Sequence, residues 1–275
     1  MPAPNRSPAT AMSNPSLPAE LLDHTIDLLH DSRDTLRSCC LVSKSWIPRA
    51  RKHLFTDTTF RYAGDLQLWR RTFPDPSTSP ARYTKSLVVN CPLFATASDT
   101  EEGGWIQSFS RVEYFKLAID NTADDHKYLA LFRGFSPALK SLDLAAFSAL
   151  PPSHLFHLIL SFPLLEDLSL CTFYRFSTVE DDDPNGQLAA IQSSNPPRFT
   201  GSLKLSLVHR MDPIASRLLL LPNGLRFQEL NLSWRHEDDV SLTREFVEMC
   251  CPTLESLSIS NSLEGMFVLR SHLYR

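Results

Sequence analysis

A short pattern, apolar-x-x-apolar-x-apolar, returns at near-constant spacing through most of this chain after residue 80, and it limits what the chain can fold into. It reads Val112-x-x-Phe115-x-Leu117, Leu139-x-x-Leu142-x-Leu144, Leu165-x-x-Leu168-x-Leu170, Phe227-x-x-Leu230-x-Leu232 and Leu254-x-x-Leu257-x-Ile259. A weaker copy is Ser86-Leu87-Val88-Val89, and an offset one is Leu203-Lys204-Leu205-Ser206-Leu207. From Val89 the closing anchors fall at Leu117, Leu144, Leu170, Leu207, Leu232 and Ile259, in steps of 28, 27, 26, 37, 25 and 27 residues. Alternate residues of a strand face opposite ways, so each copy predicts a short strand with its leucines inward. A period of this length marks a repeat architecture, in which each unit buries its apolar face only against its neighbours.

The stretches between the strands carry helical spacing. Leu155, Phe156, Ile159 and Leu160 precede Phe162-Pro163, and Phe246, Val247 and Cys250 precede Pro252, with Thr243 in a cap region. Pro137, Pro163 and Pro252 stand just ahead of the strand leucines, where they end the helices. The long step is explained by an insertion at about 173–200, with Glu180-Asp181-Asp182-Asp183-Pro184-Asn185-Gly186 and Ser193-Ser194-Asn195-Pro196-Pro197, which predicts an acidic surface loop. Only Glu264–Arg275 follows the last copy, which reads as a short or truncated array. A conventional α/β domain with a parallel sheet is the competing reading.

Ahead of the repeats, residues 17–60 read differently. Leu17-Pro18-Ala19-Glu20-Leu21 leads into Leu22, Ile26, Leu28 and Leu29 at helical steps. Pro18 suits a first turn, where its missing N–H is not needed. Asp31-Ser32-Arg33-Asp34 breaks the pattern, with Asp34 as the expected cap of a second helix. Leu36, Cys39, Cys40, Val42 and Trp46 form that helix's apolar face, and Pro48 is expected to end or kink the helix carrying Trp46. About forty residues of short helices cannot bury this much apolar surface alone, so part of it belongs to a partner.

The order Leu-Pro-x-Glu-Leu, then Ile26, then Cys39-x-Leu41-Val42-Ser43-x-x-Trp46, then Arg51 and Leu54-Phe55 resembles an F-box, in the F-box-like form common in fungal proteins. The repeats resemble the irregular leucine-rich repeats that often follow one. The resemblance implies an α/β fold made of a small helical F-box module and an irregular leucine-rich-repeat solenoid. The divisions expected are a disordered tail (1–16), the F-box-like module (17–60), a connector (61–80) and the repeats (81–275). It also implies a substrate receptor that docks a Skp-family adaptor, and through it a cullin, in a ubiquitin ligase, and so acts in the cytoplasm, the nucleus or both. The adaptor would be held by Leu17, Pro18, Glu20, Leu21, Ile26, Leu41, Val42 and Trp46. The alternatives are a repeat scaffold with no link to ubiquitination, whose helices only cap the repeats, and an enzyme.

Other chemistries find little footing. The net charge of −4 gives no reason to expect a nucleic acid or an anionic membrane as partner. No apolar run reaches the length of a membrane span. The first sixteen residues carry four prolines and no continuous apolar stretch, unlike a signal peptide. The six cysteines (Cys39, Cys40, Cys91, Cys171, Cys250 and Cys251) sit in apolar contexts as expected of reduced thiols in an intracellular compartment. Asp181-x-Asp183-x-Asn185-Gly186 imitates a calcium loop, but Pro184 interrupts it and Gln192 stands where a bidentate Glu is needed. His154 and His157 lack a third metal ligand, and neither a phosphate loop nor a nucleophile elbow is present, so no cofactor, metal or catalytic residue is expected.

Binding is therefore expected on the strand residues that point away from the leucines. Tyr114, Lys116, Asp143, Asp167, Glu229 and Asn231 are the large or charged ones, and Lys204 joins them if the offset copy keeps register. Four acidic or amide groups beside one lysine favour a protein substrate with a basic or hydrogen-bonding surface.

Overall fold

The computed structural model describes residues 18–90, 104–118, 131–145, 152–171, 197, 199–206, 212–221, 225–234, 239–261 and 271–272. They fall into two compact units, one ending at Leu54 and the other beginning at Phe55.

The first unit is a three-helix cluster: α1 (Ala19–Asp27), α2 (Arg33–Val42) and α3 (Ile47–Leu54). Pro18 caps α1, and its carbonyl accepts from the Leu21 and Leu22 amides. The residue preceding α2 is Ser32, not Asp34, which lies in the first turn, where its charge suits the helix dipole. Pro48 is the second residue of α3 and starts that helix instead of ending one, because a first-turn residue needs no N–H partner. Trp46 lies in the turn before it. Helix α3 packs on both α1 and α2, around a small core of Ile26, Leu36, Cys39 and Ala50. Leu29, Cys40, Trp46 and Leu54 pack against that core while partly exposed.

The second unit is built on a nine-stranded sheet whose spatial order is its chain order. Its strands are β1 (Asp57–Phe60), β2 (Ser86–Val89), β3 (Tyr114–Ala118), β4 (Ser141–Ala145), β5 (Asp167–Cys171), β6 (Ser202–Ser206), β7 (Glu229–Trp234), β8 (Ser256–Asn261) and β9 (Ser271–His272). β1 to β8 are parallel, and β9 pairs antiparallel with β8. Helices α4 (Ala63–Thr72), α5 (Gly104–Gln107), α6 (Pro152–Leu160), α7 (Asp212–Leu219) and α8 (Asp239–Cys250) lie between strands. Because the strand order never reverses, the sheet has no switch point of the kind at which doubly wound α/β sheets bind nucleotides.

Register turns the repeat into two continuous ladders. One runs Leu87, Phe115, Leu142, Leu168, Leu203, Leu230, Leu257; the other runs Val89, Leu117, Leu144, Leu170, Leu205, Leu232, Ile259. From β2 to β7 every member is at most 1% exposed, and all belong to one core. The residues between them are not buried. One face of the sheet is thus packed and the other open, unlike the two-sided burial usual for parallel sheets. Phe115, Phe132, Phe135 and Phe162 continue the core as a chain of ring contacts with centroids 5.0–5.9 Å apart.

A second periodic device sits just ahead of the strands. The Lys85 carbonyl accepts from the Glu113 and Tyr114 amides, Glu113 from Lys140 and Ser141, and Lys140 from Glu166 and Asp167. Thr56, Gly201 and Gln228 do the same for the amides ahead of β2, β7 and β8. Hydroxyls satisfy carbonyls one residue ahead of these: Thr84 donates to Phe55 (2.9 Å), Ser136 to Val112 (2.7 Å) and Thr253 to Phe227 (3.2 Å).

Three further expectations change. Asp57–Phe60 belongs to the sheet and not to the helical module, and the expected connector carries α4. Sequence reasoning passed over β1 because Thr58 takes the first inward slot, hydrogen-bonded to the Thr84 hydroxyl at 3.0 Å. The fifth anchor is Leu205, not Leu207, since Leu205 pairs with Leu170 and Leu232; the steps around the insertion become 35 and 27 residues. Thr243 lies inside α8, past its first turn, and is buried, so it does not stand at the expected N-terminal cap.

Candidate interaction surfaces

The helical unit exposes what a small domain normally hides. Leu21 is 54% exposed, Leu28 71%, Leu41 89% and Val42 67%. Helical geometry accounts for the partition. At about 100° per residue, Leu21 and Ile26 are roughly 140° apart around α1, as are Leu36 and Leu41 around α2, so one of each pair faces in and the other out. Ile26 at 1% exposure is core, and Trp46 packs against that core, so the unit itself uses these two expected adaptor residues. Pro18 and Glu20 are exposed; Leu17 lies outside the described residues. Leu28, seven residues after Leu21 and hence on its side of the helix, completes the exposed set; that spacing is visible in the sequence.

A polar clamp holds the unit together. The Asp27 carboxylate on α1 accepts from Nε of Arg49 (2.6 Å), pairs with a second Arg49 nitrogen, and lies 2.7 Å from Nε2 of His53, both on α3. The hydrogen bonds from Arg49, then those with His53, hold Asp27 well below the usual carboxylate range.

On the open face of the sheet, the structure brings three expected residues together. Lys116 pairs with Asp143 at 3.0 Å across β3 and β4, and Tyr114 stands beside them. The hydrogen bond to Asp143 raises the pKa of Lys116, while burial and then the Asp143 charge raise that of Tyr114. Asp167 is engaged in the backbone. Its Oδ1 accepts from the Ser202 amide (2.7 Å) and hydroxyl (2.8 Å) at the start of β6. At the other strands the preceding carbonyl accepts both amides; after the long insertion Glu166 takes only Gly201, and the Asp167 side chain takes the second. A Cβ on Gly201 would lie 2.3 Å from Asp167 Oδ1, so this approach requires glycine. Phe199, buried against Phe227 at 5.2 Å, turns the chain back in with a φ of +45°. Glu229 and Asn231 are exposed, and Lys204 sits in register between Ser169 and Asn231.

Cys39 and Cys250 are buried, and Cys40, Cys171 and Cys251 are also free thiols; burial pushes Cys250 up to about 11. His157 is buried on α6, 3.4 Å from an Arg133 nitrogen. Among the described residues no His, Cys, Asp and Glu cluster could hold a metal, and no helix is long and apolar enough to cross a membrane. The calcium-like stretch 181–192 and Cys91 lie outside the described residues. Sequence reasoning also passed over a cleft beside α4 and α5, lined by Trp69, Arg71 and Trp105, because nothing in its residue order marks it. No family model matches this chain, and no curated protein matches it.

Proposed function

We propose that this protein is a non-catalytic substrate receptor of a Skp–cullin–F-box ubiquitin ligase, with an F-box-like helical unit and a leucine-rich-repeat unit. The observation that carries the reading is the exposure of Leu41 and Val42 at the end of α2, within the stretch that resembles the F-box core. Desolvating a large apolar side chain contributes on the order of 1–3 kcal/mol, so Leu21, Leu28, Leu41 and Val42 are worth a partner's while to cover. The open sheet face, with Tyr114, Lys116, Asp143, Lys204, Glu229 and Asn231, is the proposed substrate side. Asp143 and Asp167 are already engaged, so that face is less acidic in effect than its composition. The protein would raise the local concentration of a bound substrate near the ligase's catalytic subunits, in the cytoplasm or nucleus.

A second reading, a repeat scaffold outside ubiquitination, draws support from Ile26 and Trp46 being used within the helical unit. Affinity capture of the tagged full chain from cells separates the two. The ligase reading expects the Skp adaptor and a cullin among the captured proteins, both lost with Leu41→Asp/Val42→Asp. Capture of neither by the parent chain favours the scaffold.

A further inference from the structure

The cleft beside α4 and α5 has a volume of about 670 Å³, within the range usual for ligand sites. Its apolar wall is braced by ring contacts. Trp69 meets Phe73 at 4.9 Å, Phe109 at 5.5 Å and Phe60 at 5.6 Å between ring centroids, and Trp105 meets Phe60 at 6.2 Å and Phe109 at 6.0 Å. Phe60 and Phe109 are fully packed in the core, while Trp69 and Trp105 stay partly exposed, so the indoles present fixed apolar surface to the cleft. Preorganised aromatic surface of this kind loses little entropy when a ligand covers it.

The polar character is one-sided. Arg70 and Arg71 line the cleft together with the neutral Gln67, Ser79 and Ser108, and among the described residues no Asp, Glu or Lys does. Arg71 is exposed and has no ion-pair partner among the described residues. Trp, Phe and Arg, with no carboxylate or lysine among the described lining residues, is the composition of an interface centre more than of ordinary surface. Pro74 and Pro76 add backbone that lacks N–H donors, while Gln67, Ser79 and Ser108 supply neutral polar side chains along the lining.

We propose that this cleft binds a short linear peptide that lays an apolar side chain on the Trp69–Trp105 wall and presents an anionic group, a carboxylate or a phosphate, to Arg71. The site lies in the sheet unit, away from its open face, and does not depend on the ligase reading.

The test is a membrane array of positional-scanning octapeptides probed with the full chain. Two versions are run, one with a fixed central glutamate and one with a fixed central phosphoserine, beside a glutamine control. The expected result is selection of an apolar residue next to the acidic one, at least tenfold above the glutamine array, with the stronger version naming the source of the anion. Arg71→Glu, at an exposed position that leaves the fold intact by circular dichroism, should abolish the selection. Lys140→Glu, on an exposed residue outside the cleft, should keep it. No selection in either array, equal signal on the glutamine control, or an unchanged pattern with Arg71→Glu would each overturn the proposal.

Discussion

The two units of this chain handle leucine in opposite ways. In the sheet unit the ladder leucines from β2 to β7 are almost completely buried, each flanked by its counterpart one repeat earlier and one later. In the helical unit Leu21, Leu28 and Leu41 are more than half exposed, although the same unit fully buries Ile26 and Leu36. A repeat makes its own partner by stacking, and three short helices have too little volume to do so. Buried leucine in the sheet unit serves stability, and the exposed leucines of the helical unit are the ones proposed to meet a partner.

That contrast is sharpest under truncation. Phe115→Ala or Leu144→Ala, in the middle of the ladders, should destabilise the sheet unit by about 2–5 kcal/mol, measured as a shift in the denaturant midpoint. Losses below about 1 kcal/mol would mean that the ladders are not the core described. Gly201→Ala should lower stability by roughly 1–3 kcal/mol, because the new Cβ displaces the Asp167 carboxylate from Ser202. Adding Asp167→Ala to that variant should cost less than the two single losses together, since both changes break one contact.

The helical unit should answer to acid. Asp27 is held below its ordinary range when folded, so the unfolded chain takes up protons first as pH falls. Its contribution is complete above about pH 4 and is lost progressively below that. Amide exchange of peptides from α1 and α3 should accelerate below about pH 4, and Asp27→Asn should remove that dependence. The thiols should separate by burial as well: at pH 8 iodoacetamide should label exposed Cys251 well ahead of Cys250, whose pKa is about 11. The smallest effect expected is on stability at Leu41, where truncation to Ala removes almost no buried surface and should change stability by less than about 0.5 kcal/mol.

The leucine spacing carried the strands β3 to β5, β7 and β8 into view, because a strand with one packed face needs apolar residues at every second position. It did so less well where another residue took an inward slot, as Thr58 does in β1, or where a third leucine followed the pair, as Leu207 follows Leu205. Register there is set by pairing with Leu170 and Leu232, which is not local information. Pro48 is readable only once the helix start is known, since the same residue opens one helix or breaks another. The expected substrate residues split for a similar reason. The alternation correctly directs Lys116 and Asp143 away from the core, but cannot tell that they pair with each other or that Asp167 replaces a backbone acceptor. In the helical unit, composition pointed to excess apolar surface. Separating Leu41 from Leu36 required the helical angle, and separating Trp46 from both required the packing of α3.

The central question is whether the exposed apolar residues of the helical unit serve a partner. The direct measurement is calorimetric titration of the full chain with a purified Skp-family adaptor, on the parent and on Leu41→Asp/Val42→Asp. Binding by the parent, affinity at least about a hundredfold lower for the variant, and an unchanged denaturant midpoint in both are expected. Equal affinities, or a parent that does not bind the adaptor, would contradict the proposed role.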